Sequence, residues 1–285
     1  MKIQLTPNFT GLNDPGEIIK SIEDMKSTDK QTVGKSEALE LLLDQVEPLD
    51  FQALKYPEVE RLRKQLEEVD PGSDQAGKLQ RQINSLKMKR DDYVFDTIKS
   101  TLELADKNNW GLCLNSNSVY LYNGAYWDMV DRAQFQTFLC DIAEGMGIPE
   151  RTARFHTFQK ELVSQFETSA SLPTPEADSD TVLINLRNGT YEINGNGQTK
   201  LRPPKKEDFL TYQLHFDYDP GATAPKFEKY INEVLPDIER QRILAEYIGY
   251  LFVRHGTNNL KLEKLLILYG GGQNGKSVFL DIIGA

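Results

Sequence analysis

Cysteine is nearly absent: Cys113 and Cys140 are the only two among 285 residues. That is too few for a disulfide framework, and a chain of this length buries enough apolar surface to fold without staples. A reducing, cytoplasmic setting is therefore expected. No apolar run approaches the roughly 18–20 residues that a membrane-spanning helix requires, and Met1 to Pro7 lacks the hydrophobic stretch of a signal peptide, so no membrane partner is expected. An excess of positive charge is also missing. Lys and Arg number 33 against 43 Asp and Glu, for a net charge of −10, which excludes a general electrostatic grip on nucleic acid along the whole chain. The deficit is uneven: residues 1–106 carry 15 basic and 21 acidic side chains, residues 107–180 carry 5 and 10, and residues 181–285 carry 13 and 12. The three histidines, His156, His215 and His255, share no metal-ligand spacing with each other or with the cysteines, and structural or surface roles are expected for them.

What is present reads first as helices. Leu39, Leu42, Leu43 and Val46 lie on one face of a helix over Ser36 to Val46. Val59, Leu62, Leu66 and Val69 step by 3, 4 and 3, and Leu79, Ile83 and Leu86 by 4 and 3, with Tyr93 continuing the stripe. Between these two patterns Asp70-Pro71-Gly72-Ser73-Asp74 is a strong turn signal, so an antiparallel helical hairpin is expected. The pattern changes at Trp110. Short β segments, Trp110 to Leu114 and Ser118 to Tyr122, run into Asn123-Gly124 and Ala125-Tyr126-Trp127, and an Asn-Gly pair between such runs signals a hairpin. Thr181 to Leu186, Asn188-Gly189 and Thr190 to Ile193 repeat the pattern. Two helices are expected between the hairpins, one with Phe135, Phe138, Leu139, Ile142 and Met146, the other after Pro149 with Phe155, Phe158, Leu162 and Phe166. Ser169 to Asp180 reads as an exposed loop and Phe209 to Tyr218 as a strand. A helix with Phe227, Tyr230, Ile231 and Val234 follows, then one opened by Pro236-Asp237 whose stripe is Ile243, Leu244, Tyr247, Ile248, Leu251 and Phe252, stopped by Gly256. The uninterrupted run Leu265 to Tyr269 reads as a strand covered on both faces.

That run leads directly into Gly270-Gly271-Gly272-Gln273-Asn274-Gly275-Lys276-Ser277, then the apolar-rich Val278 to Ile283. The eight residues match G-x-x-x-x-G-K-[ST], which a random chain of this length matches about one time in a hundred. Each residue type has a mechanical reason. Glycines let successive backbone N–H groups turn toward phosphate oxygens at the positive end of the next helix. The Lys276 ammonium would reach the β and γ phosphates of ATP, and the Ser277 hydroxyl would ligate Mg²⁺. Gly34-Lys35-Ser36 lacks both the leading glycine and a preceding strand, and is set aside. Carboxylate pairs Glu67-Glu68 and Asp91-Asp92 fall in the helical hairpin and are expected to be solvated. The basic pieces Arg61 to Lys64, Lys87 to Arg90 and Arg202 to Lys206 are expected to be helix-surface charge rather than phosphate contacts. Tyr120, Tyr122, Tyr126 and Trp127 alternate on strands and are expected to be core rather than a base-stacking platform.

Leu268 through Phe279, preceded by the Pro236 to Phe252 helix, resembles the start of the helicase domain in phage, plasmid and poxvirus primase-helicases of helicase superfamily three. Upstream, Val182 to Gly189, Pro203-Pro204 with Phe209-Leu210-Thr211, and Phe216 to Pro220 with Pro225 and Phe227 resemble the domain that precedes that core, so the likeness extends over about residues 105–285. The resemblance implies a cytoplasmic, phage-encoded or bacterial, ATP- and Mg²⁺-dependent DNA helicase acting in replication. DNA, replication proteins and further copies of itself, in a hexameric ring when full length, are the implied partners. The expected fold class is α+β. It comprises a helical N-terminal region over 1–104 with its hairpin at about 57–100, a mixed pre-helicase domain over 105–225, and over 226–285 a helical collar that opens a truncated α/β P-loop ATPase domain. Residues 1–104 carry no primase signature. Only eight residues follow Ser277, so the acidic residue that orients Mg²⁺ and water, the sensor, the arginine finger and the DNA-contacting hairpin would lie downstream. No catalytic set is complete, and the chain alone is expected to hydrolyse no ATP. Two other readings are open: a non-enzymatic replication or interaction module with a vestigial loop, and an unrelated P-loop kinase or ATPase.

Overall fold

The computed structural model describes residues 34–173, 180–253, 265–269 and 275–284. They are mixed α+β, with helices and two small antiparallel sheets, as expected for the class. They divide into two compact units, one of residues 34–173 and 205–212, the other of residues 180–204, 213–253, 265–269 and 275–284.

The first unit begins with α1 (Lys35–Leu43), α2 (Phe51–Lys55), α3 (Glu58–Glu67), α4 (Asp74–Ser85) and α5 (Arg90–Lys107). α3 and α4 pack together across the Asp70–Ser73 turn, where the Ser73 hydroxyl accepts the Ala76 N–H at 3.1 Å and caps α4. The apolar stripe does not run through to Tyr93 in one helix. α4 ends at Ser85, the Gln52 side-chain amide donates to the freed Ile83 and Leu86 carbonyls, and α5 starts afresh with the Asp92 carboxylate accepting the Lys89 N–H at 2.7 Å. Asn109 closes α5 in the left-handed region, φ 56°. The Asn109 and Trp110 amides donate back to the Asp106 and Ala105 carbonyls, the pattern of a Schellman stop.

The first sheet follows: β1 (Gly111–Asn115), β2 (Ser118–Tyr122) and β3 (Trp127–Val130), paired in that order. Its tight turn is Ser116-Asn117, both at positive φ, 46° and 64°, the mirror-image geometry that suits the strand twist. Asn123-Gly124 instead opens a longer connection in which the Asn123 side-chain oxygen accepts the Ala125 and Tyr126 amides. Then come α6 (Arg132–Gly145), α7 (Glu150–Ala153) and α8 (His156–Ser169). The single helix expected after Pro149 is therefore two, broken at Arg154-Phe155, where Phe155 is extended and exposed. Phe135, Phe138 and Ile142 of α6, Phe158, Leu162 and Phe166 of α8, Ile98 of α5, and Leu112, Leu121 and Val130 of the sheet form one core.

The other face of this sheet carries Cys113, Tyr122 and Trp127, with Phe209 packed on them. Phe209 sits in a strap, residues 205–212, that was expected to start a strand. It is instead held by Trp127 of β3: its backbone N–H donates to the Leu210 carbonyl at 2.7 Å, and its Nε1–H to the Lys206 carbonyl at 2.8 Å.

The second unit holds β4 (Val182–Leu186), β5 (Gly189–Ile193) and β6 (Thr199–Arg202) in one antiparallel sheet; β6 had no counterpart in the sequence reading. Of the expected strand over Phe209 to Tyr218, a single bridge from Leu214 to Leu186 remains. The Asn188 side-chain amide takes both backbone groups of Tyr218, each at 2.9 Å, leaving none for a ladder. The unit also contains α9 (Pro225–Val234), α10 (Ile238–Tyr250) and α11 (Lys276–Gly284), with Ile231, Leu244 and Phe279 as their common core. Leu265 to Tyr269 is not a strand. Leu266 and Leu268 pack on that core, while Leu265 and Tyr269 are 82% and 98% exposed. The expected cover is on one side only, because no strand pairs with this run among the described residues. The Gly256 stop lies outside the described residues.

Candidate functional site

Of the eight residues of the candidate phosphate loop, the last three are described. Gly270, Gly271, Gly272, Gln273 and Asn274 lie outside the described residues; Gly275, Lys276 and Ser277 lie at the start of α11. Gly275 ends the loop at φ 81°, a conformation in which an L side chain is strained. Space forbids one as well: a Cβ there would stand 3.0 Å from both Tyr230 Cε2 and Val234 Cγ1 of α9. The Gly275 carbonyl accepts two donors, the Phe279 N–H at 3.0 Å, which is the first turn of α11, and the Tyr230 hydroxyl at 2.6 Å. Phe279 anchors the helix by burial beside Ile231 and Leu244.

This arrangement leaves Lys276 and Ser277 on the first turn of a helix, where backbone N–H groups lack intrahelical acceptors and the dipole favours an anion. The Ser277 side chain is exposed and open to a cation. The three described residues are compatible with a Mg²⁺-polyphosphate in residue type and helix position. Sequence reasoning placed Tyr230 only on an apolar stripe. Nothing in its spacing signals that its hydroxyl would meet a residue 45 positions later.

Several of the other candidates have partners of their own. Arg63 pairs with Asp50 and also donates to Gln52 at 3.0 Å, and the Arg63 hydrogen bond is the main force holding the Asp50 carboxyl below its usual range. Arg90 pairs with Glu161 at 2.7 Å and lies over the Phe158 ring. Arg202 pairs with Glu192 at 2.6 Å and Lys206 with Asp106. Asp92 is not simply solvated, since it binds both Lys55 and the Lys89 amide. Tyr122 and Trp127 are buried, and Trp127 stacks on Phe209 at 5.3 Å, while Tyr120 and Tyr126 are half-buried. Burial pushes the Cys113 thiol up to about 12, which makes it a poor nucleophile. Among the described residues no group of three or more His, Cys, Asp or Glu side chains could hold a metal, and no helix is long and apolar enough to cross a membrane.

Residues 104–236 match the protein-family model described as "D5 N terminal like". The match begins near the end of α5, takes in both sheets and α6 to α9, and stops short of the loop. It supports the pre-helicase part of the resemblance drawn from the sequence. No curated protein matches the chain.

Proposed function

We propose that this chain is part of a primase-helicase-type DNA replication protein whose loop Gly270 to Ser277 binds ATP with Mg²⁺. The observation that carries the reading is one of order along the chain. A segment similar to a D5-type N-terminal domain ends at residue 236, and one collar helix later the sequence presents G-G-G-Q-N-G-K-S, with its Lys276 and Ser277 opening a helix. In this reading the backbone amides at the start of α11 receive phosphate oxygens, Lys276 neutralises the β and γ phosphates, and Ser277 supplies one oxygen to Mg²⁺. ATP drives movement on DNA, and assembly with further copies of the chain belongs to the same proposal.

The test is a thermal-unfolding series with MgATP, with ATP in EDTA, and with adenosine. A ligand at about 100 times its Kd stabilises the folded state by roughly 2.7 kcal/mol, so a concentration-dependent rise in Tm with MgATP is expected. Lys276→Ala and omission of Mg²⁺ should each diminish it, and adenosine should give none. The absence of any MgATP shift favours the non-enzymatic replication or interaction module, a reading that the lack of strand structure over Leu265 to Tyr269 also favours. A phosphate loop is held in place by the sheet behind it, and here no strand pairs with that run among the described residues.

A further inference from the structure

We propose that a cleft in the first unit binds an acidic peptide segment of a partner protein, holding one apolar side chain of that segment on its floor. The proposal goes beyond the nucleotide reading and does not depend on it. Its starting point is the two basic pieces, Arg61 to Lys64 and Lys87 to Arg90, that the sequence places on helix surfaces. The fold brings them together. Arg63 of α3 and Lys87 and Met88 of the α4–α5 connection line one open cleft of about 820 Å³, within the roughly 300–1,000 Å³ of ligand sites. Its walls are tied to each other before any partner arrives. The Gln52 amide of α2 donates to the Ile83 and Leu86 carbonyls at 3.1 and 2.8 Å, and its oxygen accepts Arg63 at 3.0 Å. The Tyr56 hydroxyl donates to the Lys87 carbonyl at 3.2 Å. A cleft held in this way loses little freedom when it binds.

The floor is apolar. Leu49, Met88 and Tyr93 are half-buried, packed on the core and lining the cleft, and the Tyr93 ring is fixed edge-on against Phe51 at 5.1 Å. The rim is cationic. Asp50 is the one acid among the lining residues, and its carboxylate already accepts Arg63 and the Ala53 amide. Arg63 keeps N–H donors beyond the bonds it gives Asp50 and Gln52. Lys87 is exposed, and like Arg61 and Lys64 it pairs with no carboxylate among the described residues. An apolar floor beside uncompensated cations matches a chain that carries carboxylates next to an aliphatic or aromatic residue, and the cations of α3 outside the lining suit a ligand that extends past the cleft. Single-stranded nucleic acid is the poorer match. Tyr93 is half-buried and Phe51 is buried, so the lining offers no run of open rings on which successive bases could stack.

Fluorescence anisotropy of labelled synthetic peptides with the whole chain tests the proposal. The probe is a run of aspartates followed by leucine and phenylalanine. One control peptide replaces the last two residues with serine, another replaces the aspartates with lysine, and an oligothymidylate tests the nucleic-acid alternative. The probe should bind saturably at or below about 1 mM, and neither control peptide should. Lys87→Glu, a charge reversal at an exposed position, should weaken that binding about tenfold, the scale of one charged contact. Lys78→Glu makes the same change on α4 at an exposed position outside the lining and should leave the affinity at the wild-type value. No saturable binding of the probe overturns the proposal, as does equal binding of either control peptide or tighter binding of the oligothymidylate. Wild-type affinity in Lys87→Glu, or an equal loss in Lys78→Glu, overturns it too. Lys276→Ala should bind the probe as the wild type does, which keeps this result separate from that of the nucleotide site.

Discussion

Phe209 offers a perturbation in which two effects of opposite sign separate cleanly. Its ring is 7% exposed, stacks on Trp127 at 5.3 Å and meets Tyr120 edge-on at 5.5 Å. Its backbone is left-handed, φ 48° and ψ 45°. Removing a buried phenyl ring costs about 3–5 kcal/mol, and the lower end applies here because the ring caps a sheet face from a surface strap. A non-glycine residue in the left-handed region carries about 1–2 kcal/mol of strain. Phe209→Ala loses the ring and keeps the strain. Phe209→Gly loses the ring and the strain, against an unfolded-chain entropy term of about 0.4–1 kcal/mol. Phe209→Gly should therefore be more stable than Phe209→Ala by about 0.5–1 kcal/mol, the reverse of the order at an ordinary loop or helix position. Urea unfolding followed by tryptophan fluorescence reads this directly, since both tryptophans, Trp110 and Trp127, lie in the unit to which the strap belongs. Both variants should also show red-shifted native emission as Trp127 loses its cover. If glycine is less stable than alanine, or if neither variant loses more than about 1 kcal/mol, the strap is not held in the way described.

Other outcomes follow from the charge and thiol chemistry. Lys55 first, then the Lys89 amide, hold the Asp92 carboxyl below its ordinary value of 3.8. Its contribution is present above that value and lost as pH falls through the lower folded-state value. Asp92→Asn should accordingly be less stable than wild type at neutral pH, with the two unfolding curves converging in acid; a gap unchanged down to pH 2 contradicts the pairing. Cys113, at about 12, and Cys140, also raised by burial, should not react with a disulfide reagent at pH 8 in the native protein, and both should react in urea. Asn188→Ala removes the two bonds to the Tyr218 backbone and should cost about 1–3 kcal/mol in chemical unfolding; an unaltered midpoint would show that the clamp is not needed.

The sequence was most legible where one local rule decided the outcome. The helical stripes of α1, α6 and α8, the turn at Asp70 to Asp74 and the hairpin of β4 and β5 are all short-range features. It was least legible where distant groups compete for a backbone. Asn188 read as a turn residue, yet its amide pairs with Tyr218 and dissolves an expected strand. The alternation of Phe209 to Tyr218 read as β, but Trp127 captures Leu210 and Phe209 turns left-handed to cover it. In the candidate site the sequence shows the motif, and the glycine at 275 belongs to its pattern. The packing reason, a tyrosine hydroxyl and a valine methyl on α9, was not legible, since no periodicity links residue 230 to residue 275. The apolar run Leu265 to Tyr269 read as a strand covered on both faces, because composition reports what a segment would bury and not whether a partner stands beside it.

Gly270 to Ser277 is proposed above as a working phosphate site. Calorimetric titration of the whole chain with MgATP, wild type against Lys276→Ala, tests it most directly. Saturable binding by the wild type is expected, weakened by about tenfold or more when the ammonium is removed, the scale of one charged hydrogen bond. Equal affinity in the two proteins, or no saturable binding by the wild type, would contradict it.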